Sequence, residues 1–391
     1  MRRSERWTRA VLAVLACATA MAGEPIVLDG PDTHFTRDAF ARLGIPFDRA
    51  ATLDKTALEP GRILVLSGRE PPLKAGEAAT VGGFLRRGGR VLALGGGARW
   101  MLEAKLFDAG GYYPTGTTIH QSTFDGYHPV TSGYPLGKPP EGWYFGVPML
   151  LRATDGPLML PGPAAISILG AGGPFSLAAF QRIGAGIALL IGADPQGGDE
   201  YLALDKPTPR LGSELGTDRL LANAIGWLRD PGDNAIPNPG FEHDADAGGD
   251  RSHWEFTLRN GGSAVWSKDG AASGDACLRL AGGRSNSVAR AAPFRPLVVE
   301  PGRGYVLSAS HRGTAAWAWE VAFVARPTDD PRRAAVTRSV AVAPADRWQR
   351  SEVPIEIPAG AAYVAVAARL DGTGALALDD VALVPHKEAA R

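Results

Sequence analysis

A short apolar run followed by three glycines constrains the fold of this chain more than any other feature. Residues 90–94 read Arg-Val-Leu-Ala-Leu, and glycines stand on both sides, at 88–89 and 95–97. A branched apolar run that ends in glycine is typical of a buried parallel strand that turns sharply into a helix. In α/β proteins such a turn often presents a Ser or Cys nucleophile. Residues 95–98 are Gly-Gly-Gly-Ala, so this turn carries no reactive side chain.

The alternation of strands and helices extends over residues 24–231. Apolar runs predict strands at 25–28, 62–67, 90–94 and 184–192, and helical patterns cover 36–43, 75–87 and 217–228. This alternation predicts an α/β domain with a parallel sheet and helices on both faces.

Two carboxylates follow predicted strands of this domain. Asp29 comes after the first strand and Asp194 after the strand at 184–192. Open α/β sheets bind their ligands at the carboxyl ends of the strands, which makes Asp29 and Asp194 candidate ligand-binding residues. The alternative is that both side chains cap helices or brace turns.

Composition excludes several classes of protein. A chain of 391 residues is long enough for two domains, and its 41 basic and 41 acidic residues leave no electrostatic signature of nucleic-acid binding. The two cysteines, Cys17 and Cys277, exclude a disulfide framework. No segment is long and apolar enough to span a bilayer as a helix.

Residues 1–23 have the pattern of a signal peptide. Four arginines precede an apolar stretch at 10–20, and small residues follow where a signal peptidase would cleave. The sequence therefore predicts export to the periplasm or the extracellular space. Two alternatives stay open: a buried N-terminal helix, and lipid anchoring through Cys17.

The pattern changes abruptly at residues 230–234, Asp-Pro-Gly-Asp-Asn. Beyond this point helical periodicity is lost, and short alternating strands are predicted at 276–280, 305–310, 317–325, 338–342, 352–357 and 363–370. Strands at this spacing, separated by Gly, Pro, Asp and Asn, predict a β-sandwich over residues 235–387.

The N-terminal domain resembles the class I glutamine amidotransferase-like superfamily, including its trehalose-utilisation-like branch. The resemblance is carried by FLRRGG leading into RVLALGGG, by HPVTSGY at 128–134, by GAGIALLIGADP at 184–195 and by LLANAIGWL at 220–228. It implies a flavodoxin-like sheet. Active glutaminases of that superfamily need a Cys at the turn and a His–Glu pair on a later strand, and residues 95–98 and 194–196 supply neither. We therefore expect a pseudoenzyme domain without glutaminase activity and with no catalytic residues assigned.

The C-terminal domain resembles carbohydrate-binding modules of the family 4/9 type. The matching segments, in order, are NPGFE at 238–242, SGDACL at 273–278, PGRGYVLS at 301–308, the stretch opened by Trp348, and LDDVAL at 378–383. The resemblance implies a jelly-roll, galactose-binding-like fold. It also implies that the partner is a carbohydrate or polysaccharide.

The same resemblance implies a structural calcium ion. Glu242 and Asp380 would supply side-chain oxygens, and backbone carbonyls near Ala272 and Ser273 would complete the shell. Calcium takes six to eight hard oxygen ligands, which suits this set. The alternative is that Glu242 and Asp380 only accept hydrogen bonds from neighbouring amides.

Sugar binding needs exposed aromatic faces, and three tryptophans are candidates. Trp317 and Trp319 share one side of a strand because side chains alternate across a sheet. Their neighbours on that side are apolar, so a core position is the alternative. Trp266 is the third candidate, whereas Trp254 and Trp348 are interpreted as packing residues.

Two functions follow from these observations. The first is an exported carbohydrate-binding or polysaccharide-associated protein with a non-catalytic amidotransferase-like domain. The second is a saccharide hydrolase or isomerase that uses Asp29 or Asp194 together with His120 or His128. The absence of a nucleophile at the glycine turn favours the first.

Overall fold

The computed structural model divides the chain into two compact units. It describes residues 23–53, 58–68, 73–114, 118–132, 149–153, 156–171, 173–193, 217–232, 234–237, 239–241, 253–326 and 336–386. The first unit comprises Met1–Gln121, Leu150–Ala165 and Ala171–Pro231, and the second comprises Ser122–Met149, Ile166–Gly170 and Gly232–Arg391. The predicted signal peptide and Cys17 lie outside the described residues.

Short strands dominate residues 23–231. The strands are β1 (Ile26–Leu28), β2 (Asp48–Ala50), β3 (Ile63–Leu66), β4 (Arg90–Leu94), β5 (Ala109–Pro114), β6 (Thr118–Phe124), β7 (Met149–Ala153), β8 (Pro157–Pro161), β9 (Ile166–Gly170), β10 (Ser176–Ile183) and β11 (Gly186–Ile191). The helices are α1 (His34–Arg42), α2 (Ala78–Arg86), α3 (Gly96–Glu103) and α4 (Thr217–Arg229).

The first unit contains the predicted run of parallel strands. They lie in the order β2-β1-β3-β4-β11, and each neighbouring pair is parallel. Strands β1, β3 and β11 are buried along their whole length, which explains why each is an uninterrupted apolar run. All four predicted strands of this domain and all three predicted helices are present, and no end is shifted by more than three residues.

The sheet as a whole is mixed, so the expectation of a purely parallel sheet is wrong. Strand β10 pairs antiparallel with β11, β8 pairs antiparallel with β10, and β5 pairs antiparallel with β8. The turn Gly184–Ala185 joins β10 to β11, which is a hairpin connection rather than a helical crossover. The apolar residues of β10 and β11 form a single antiparallel ladder from Ala178↔Ile191 to Ile183↔Gly186.

Helices cover both faces of the parallel strands, as predicted. Leu64 and Leu190 point to the face that carries the core residues of α2 and α3. Phe180 points to the opposite face, where its ring lies 5.1 Å from that of Trp227 in α4. Adjacent strand residues therefore bury against different helices, as alternation across a sheet requires.

The glycine turn between β4 and α3 has the sharp geometry that the sequence predicts. Gly95 has φ 50° and ψ −117°, a backbone conformation that side-chain-bearing residues rarely adopt. A Cβ at Gly97 would lie 2.3 Å from the carbonyl oxygen of Leu66, so the first turn of α3 approaches β3 too closely for any side chain. The glycines are there for close backbone contact.

The second unit is built mainly from antiparallel strands after residue 253. They are β12 (Trp254–Arg259), β13 (Gly262–Ser267), β14 (Cys277–Gly282), β15 (Val288–Pro293), β16 (Leu297–Val298), β17 (Gly304–Gly313), β18 (Trp317–Val324), β19 (Val336–Val342), β20 (Ala345–Glu356), β21 (Tyr363–Asp371) and β22 (Gly374–Pro385).

These strands form the predicted β-sandwich. One sheet has the order β12-β15-β21-β18-β19, with β16 also paired to β21, and the other has the order β13-β14-β22-β17-β20. Side chains of the two sheets meet in one core; the ring of His311 on β17 lies 5.5 Å from that of Trp317 on β18. The segment before the first strand runs beside the last one, since Val381 N donates to the carbonyl of Pro239 at 2.9 Å.

Two stretches of the N-terminal half belong to this second unit. The backbone N–H of Tyr127 donates to Pro296 and its carbonyl accepts from Val298, both at 2.8 Å. The hydroxyl of Tyr127 lies 3.1 Å from Nδ1 of His253, and Tyr363 Oη donates to the carbonyl of Ser167 at 3.0 Å. The compact units therefore differ from the two continuous domains, 24–231 and 235–387, that the sequence predicts.

No helix within the described ranges combines the length and the apolar character that crossing a bilayer requires.

Candidate functional site

The tryptophan pair of β18 lies in the core of the sandwich. Trp317 is 3% exposed and Trp319 is 0% exposed, and their rings are 5.0 Å apart. The two indoles do share one side of the strand, as predicted, but that side faces the opposite sheet. Neither ring can stack on a saccharide from solvent, so the prediction that the pair forms a ligand platform is wrong and the core alternative is right.

Trp266 on β13 is half-buried within an aromatic cluster. Its ring meets those of Phe256 at 5.0 Å and Phe241 at 5.9 Å, both edge to face. Its indole N–H is buried without a hydrogen-bond partner. Most of the ring is thus engaged with protein, although the neighbouring Val265 is 56% exposed on the same strand.

Trp348 on β20, interpreted from the sequence as a packing residue, is a candidate site residue in the structure. It is partly exposed, whereas the second residue interpreted as packing, Trp254, is 4% exposed and packed as expected. The indole N–H of Trp348 donates to the carbonyl of Gly270 at 3.1 Å. The guanidinium carbon of Arg312 lies 5.1 Å from the centre of the ring, within range of a cation–π contact.

Further guanidinium groups surround this tryptophan. Arg312 also donates to the Gly270 carbonyl at 3.2 Å, and Arg279 donates to the carbonyl of Asp269 at 2.7 Å. Arg350, two residues along β20, donates to Ser308 Oγ at 2.7 Å. We call Arg279, Arg312, Trp348 and Arg350, together with the Gly270 carbonyl, the Trp348 surface. It combines an aromatic ring with several directed N–H donors.

A signal in the sequence could have identified this surface. Along β20 the residues on the Trp348 side are Asp346, Arg350 and Glu352, all charged. On the other side, Ala345, Val353 and Ile355 are buried, whereas Arg347 and Gln349 are exposed. A tryptophan that alternates with charged residues lies on the solvent side of its strand.

The predicted calcium ligands Ser273 and Asp380 do come together. Ser273 Oγ donates to Asp380 Oδ1 at 2.5 Å, and Ser310 Oγ donates to Asp380 Oδ2 at 3.3 Å. Asp380 has φ 49°, and the pairing of β22 with β17 is irregular here because an extra residue is inserted. This bulge turns two consecutive aspartates toward the same 272–273 turn.

The neighbouring Asp379 binds that turn through its backbone. Asp379 is 0% exposed, and its Oδ2 accepts from the N–H groups of Ala272 at 2.8 Å and Ser273 at 3.0 Å. Burial raises the pKa of the Asp379 carboxyl, while these amide donors lower it. The amides of this turn therefore bind Asp379, whereas Asp380, one of the two residues for which amide binding was the alternative, accepts from hydroxyl groups.

The oxygen atoms around Asp380 are of the type that binds hard cations such as calcium. The described residues offer one carboxylate and two hydroxyl groups, and Glu242 lies outside the described residues. Within the described part of the chain, no cluster of three or more His, Cys, Asp or Glu side chains is positioned to hold a metal ion.

Asp29, one of the two candidates of the α/β sheet, has structural partners. It follows β1 as predicted, and its two carboxylate oxygens accept from Arg37 at 3.0 Å and from Arg49 at 2.8 Å. This pairing braces the turn after β1. The second candidate, Asp194, lies outside the described residues.

The histidines of the hydrolase alternative give it no support. His128 is 6% exposed, and its Nδ1 accepts from the N–H of Val130 at 3.2 Å, which caps a short 3-10 turn. Burial lowers the pKa of His128 to about 3, so the imidazole is neutral at ordinary pH. His120 lies on β6, and its side chain is outside the described residues.

Comparisons with known proteins give only distant structural similarity. No family model matches the sequence, and no curated protein matches it. Similar solved structures include the enzymatically active domain of a tailspike protein of bacteriophage CBA120 (14% identity, TM-score 0.33, covering 39% of this chain and 21% of the tailspike). They also include a family 61 carbohydrate-binding module in complex with β-1,4-galactotriose (15%, 0.30, 39% and 99%) and a family 4 carbohydrate-binding module (15%, 0.27, 39% and 100%). These similarities are too low to assign a fold or a function. The β-sandwich of this chain is therefore defined by its own strand pairing.

Proposed function

We propose that this chain is an exported carbohydrate-binding protein that contacts a polysaccharide through the Trp348 surface. The observation that carries the proposal is the partly exposed indole of Trp348, fixed by its N–H on Gly270 and flanked by Arg312. A pyranose ring presents apolar C–H faces and polar hydroxyl groups together. An aromatic ring bordered by directed donors matches both, because such sites pair apolar contact with a few placed polar groups.

Three further features support the proposal. The motifs between residues 238 and 383 resemble carbohydrate-binding modules of the family 4/9 type. The surface belongs to a β-sandwich, where strands hold side chains in fixed positions. Residues 1–23 have the pattern of an export signal, and N-terminal sequencing of the exported protein would test that part.

The test is binding of the whole chain to a glycan array, followed by affinity electrophoresis in the polysaccharide retained best. Trp348→Ala should weaken retention at least tenfold, which corresponds to about 1.4 kcal/mol of binding free energy. Phe294→Ala is the matched control, because Phe294 is also exposed (39%) and also carries an arginine over its ring, Arg295 at 5.6 Å.

The proposal fails if the unaltered protein retains no glycan. It also fails if Trp348→Ala and Phe294→Ala are retained equally, since Phe294 follows β15, whose sheet does not contain Trp348.

We also infer that the first unit contains a non-catalytic, flavodoxin-like amidotransferase-like domain. Support comes from the parallel run of strands and from the turn at Gly95, where a nucleophile would otherwise stand. Incubation with glutamine should release no ammonia above a buffer blank. Turnover above the blank would contradict the inference.

A structural calcium ion at Asp380 is a further proposal. Asp380, Ser273 and Glu242 would hold it, and its charge would offset the carboxylates that converge there. The ion would fasten β22 to the segment that precedes the first strand of the sandwich. The hydrolase or isomerase alternative has no comparable support, because the carboxylate of Asp29 is already bound by two arginines.

A further inference from the structure

The first unit contains a cleft that shares no residue with the Trp348 surface or with the surroundings of Asp380. It lies between α2, the turn from α3 to β5, and strands β5 and β10, and its volume is about 660 Å³. This is within the range of ~300–1,000 Å³ that small-molecule sites occupy. The polar residues that line it are Arg86, Lys105, Asp108, Tyr112 and Gln181.

The cleft has an excess of positive charge. Arg86 and Lys105 are exposed at its rim, and neither forms a salt bridge with another described residue. The one carboxylate of the lining, Asp108, is turned to the 162–164 loop, where its Oδ2 accepts from the N–H of Ala164 at 2.7 Å. The two cations are therefore available to an anionic ligand.

The amide of Gln181 is oriented by the protein. Its Oε1 accepts from the backbone N–H of Asp108 at 2.7 Å. Because the oxygen is bound, the NH₂ group is the end left to interact with a ligand. The cleft thus adds a placed neutral donor to its two cations.

Lys105 occupies a backbone position that disfavours lysine. It follows α3 with φ 55°, its N–H donates to Leu102 and the next N–H donates to Met101, both at 3.0 Å. This pair of bonds is the Schellman ending of a helix, whose left-handed residue is usually glycine. A lysine kept there at a cost in backbone energy points to a role for its ammonium group.

One wall of the cleft includes an aromatic residue. Tyr112 lines the cleft, and its hydroxyl donates to Glu103 at 2.8 Å, which fixes the ring.

We propose that this cleft binds a uronic acid, a sugar that carries a carboxylate. Arg86 and Lys105 would receive the carboxylate, the ring of Tyr112 would pack against a face of the pyranose, and Gln181 would donate to a hydroxyl. The proposal goes beyond the Trp348 surface, which belongs to the other unit, and does not depend on it.

The experiment is titration of the whole chain with D-galacturonate and D-glucuronate, followed by NMR. D-galactose and inorganic phosphate are the neutral and non-sugar controls. One uronate should bind at least tenfold more tightly than either control. Arg86→Gln should weaken that binding at least tenfold. Arg87→Gln, an exposed arginine on the next residue that does not line the cleft, should leave it unchanged.

Lys105→Gly separates ligand binding from folding. It should raise the Tm, since glycine suits the left-handed position, and it should weaken uronate binding at the same time. Binding of phosphate as tight as that of the uronates, loss of binding in Arg87→Gln equal to that in Arg86→Gln, or no uronate binding would each overturn the proposal. Trp348→Ala should retain uronate binding, so failure of the Trp348 surface would remain distinguishable.

Discussion

The carboxyl edge of the parallel sheet and the outer side of β20 use side chains in opposite ways. At the sheet edge, glycine allows backbones to touch: a Cβ at Gly156 would lie 2.0 Å from the carbonyl oxygen of Gly192 and 3.2 Å from Cα of Gly95. On β20, Trp348 donates to the Gly270 carbonyl in the loop between β13 and β14, and Arg350 donates to Ser308 on β17. The backbone contact at Gly97 and Gly156 leaves no room for a side chain at these two positions. A strand face with spaced, directed side chains is suited to recognition.

The largest expected effect tests the close backbone contact of Gly97 with Leu66. Gly97→Ala should destabilise the protein by about 3 kcal/mol, because its Cβ would overlap the Leu66 carbonyl and the backbone cannot yield cheaply. Urea unfolding measures the change. Gly226→Ala in α4 is the control: a Cβ there meets no atom within 4 Å, so helix propensity should stabilise by about 0.5–1 kcal/mol. Equal effects of the two substitutions would mean that the backbone at Gly97 does not approach Leu66 closely.

The second-largest effect concerns the calcium ion proposed at Asp380. Calcium at a hundredfold excess over its Kd should stabilise the whole chain by roughly 2.7 kcal/mol, and chelation should lower the Tm by several degrees. Asp380→Asn should abolish this sensitivity. Asp346→Asn, an exposed aspartate on β20, should preserve it. If the Tm is the same with calcium and with chelator, Asp380 is an ordinary hydrogen-bonding residue.

Lowering the pH should destabilise the protein through His128, whose imidazole is buried in the second unit. His128 has a folded pKa of about 3 against an ordinary 6.5, so the folded state keeps it neutral. Its contribution is complete above pH 6.5 and is lost as the pH falls, by about 2 kcal/mol between pH 7 and pH 5. His128→Asn keeps an acceptor for the Val130 N–H but does not titrate, and should flatten that part of the profile. An unchanged slope would show that His128 is not the titrating group.

The smallest effect concerns the exposed ion pair between Arg49 and Asp29, which follows β1. Arg49→Ala removes one partner of Asp29, and Arg49 is 61% exposed. An ion pair this open to solvent contributes only about 0.5 kcal/mol, so the unfolding free energy should change by no more than that. A loss several times larger would show that Asp29 depends on Arg49 far more than a surface pair should.

Sequence reasoning identified the elements whose pattern is local. Strands β3, β4 and β11 are apolar runs bounded by glycine, and each lies within two residues of its predicted position at both ends. Strands β5, β8 and β10 were not predicted. β5 contains two glycines and a proline, and β8 begins and ends with proline. β5 pairs with β8, which lies far from it in the sequence.

The site residues were harder to predict for a related reason. Alternation shows that Trp317 and Trp319 share a side, but it does not show whether that side faces solvent. The packing of β18 against the opposite sheet decides that this side faces the core, as the contact of Trp317 with His311 on β17 shows. Trp348 was interpreted as a packing residue, although charged residues alternate with it on β20.

The two early stretches within the second unit also bear on how the protein is made. Tyr127 and Ser167 are synthesised long before Val298 and Tyr363, which they contact. At roughly 5–20 residues per second, the 236 residues between Tyr127 and Tyr363 take on the order of 10–50 s to appear. For that interval the early stretches have no native surface to dock on. Synthesis must therefore proceed to Tyr363 before the early stretches can complete their native contacts.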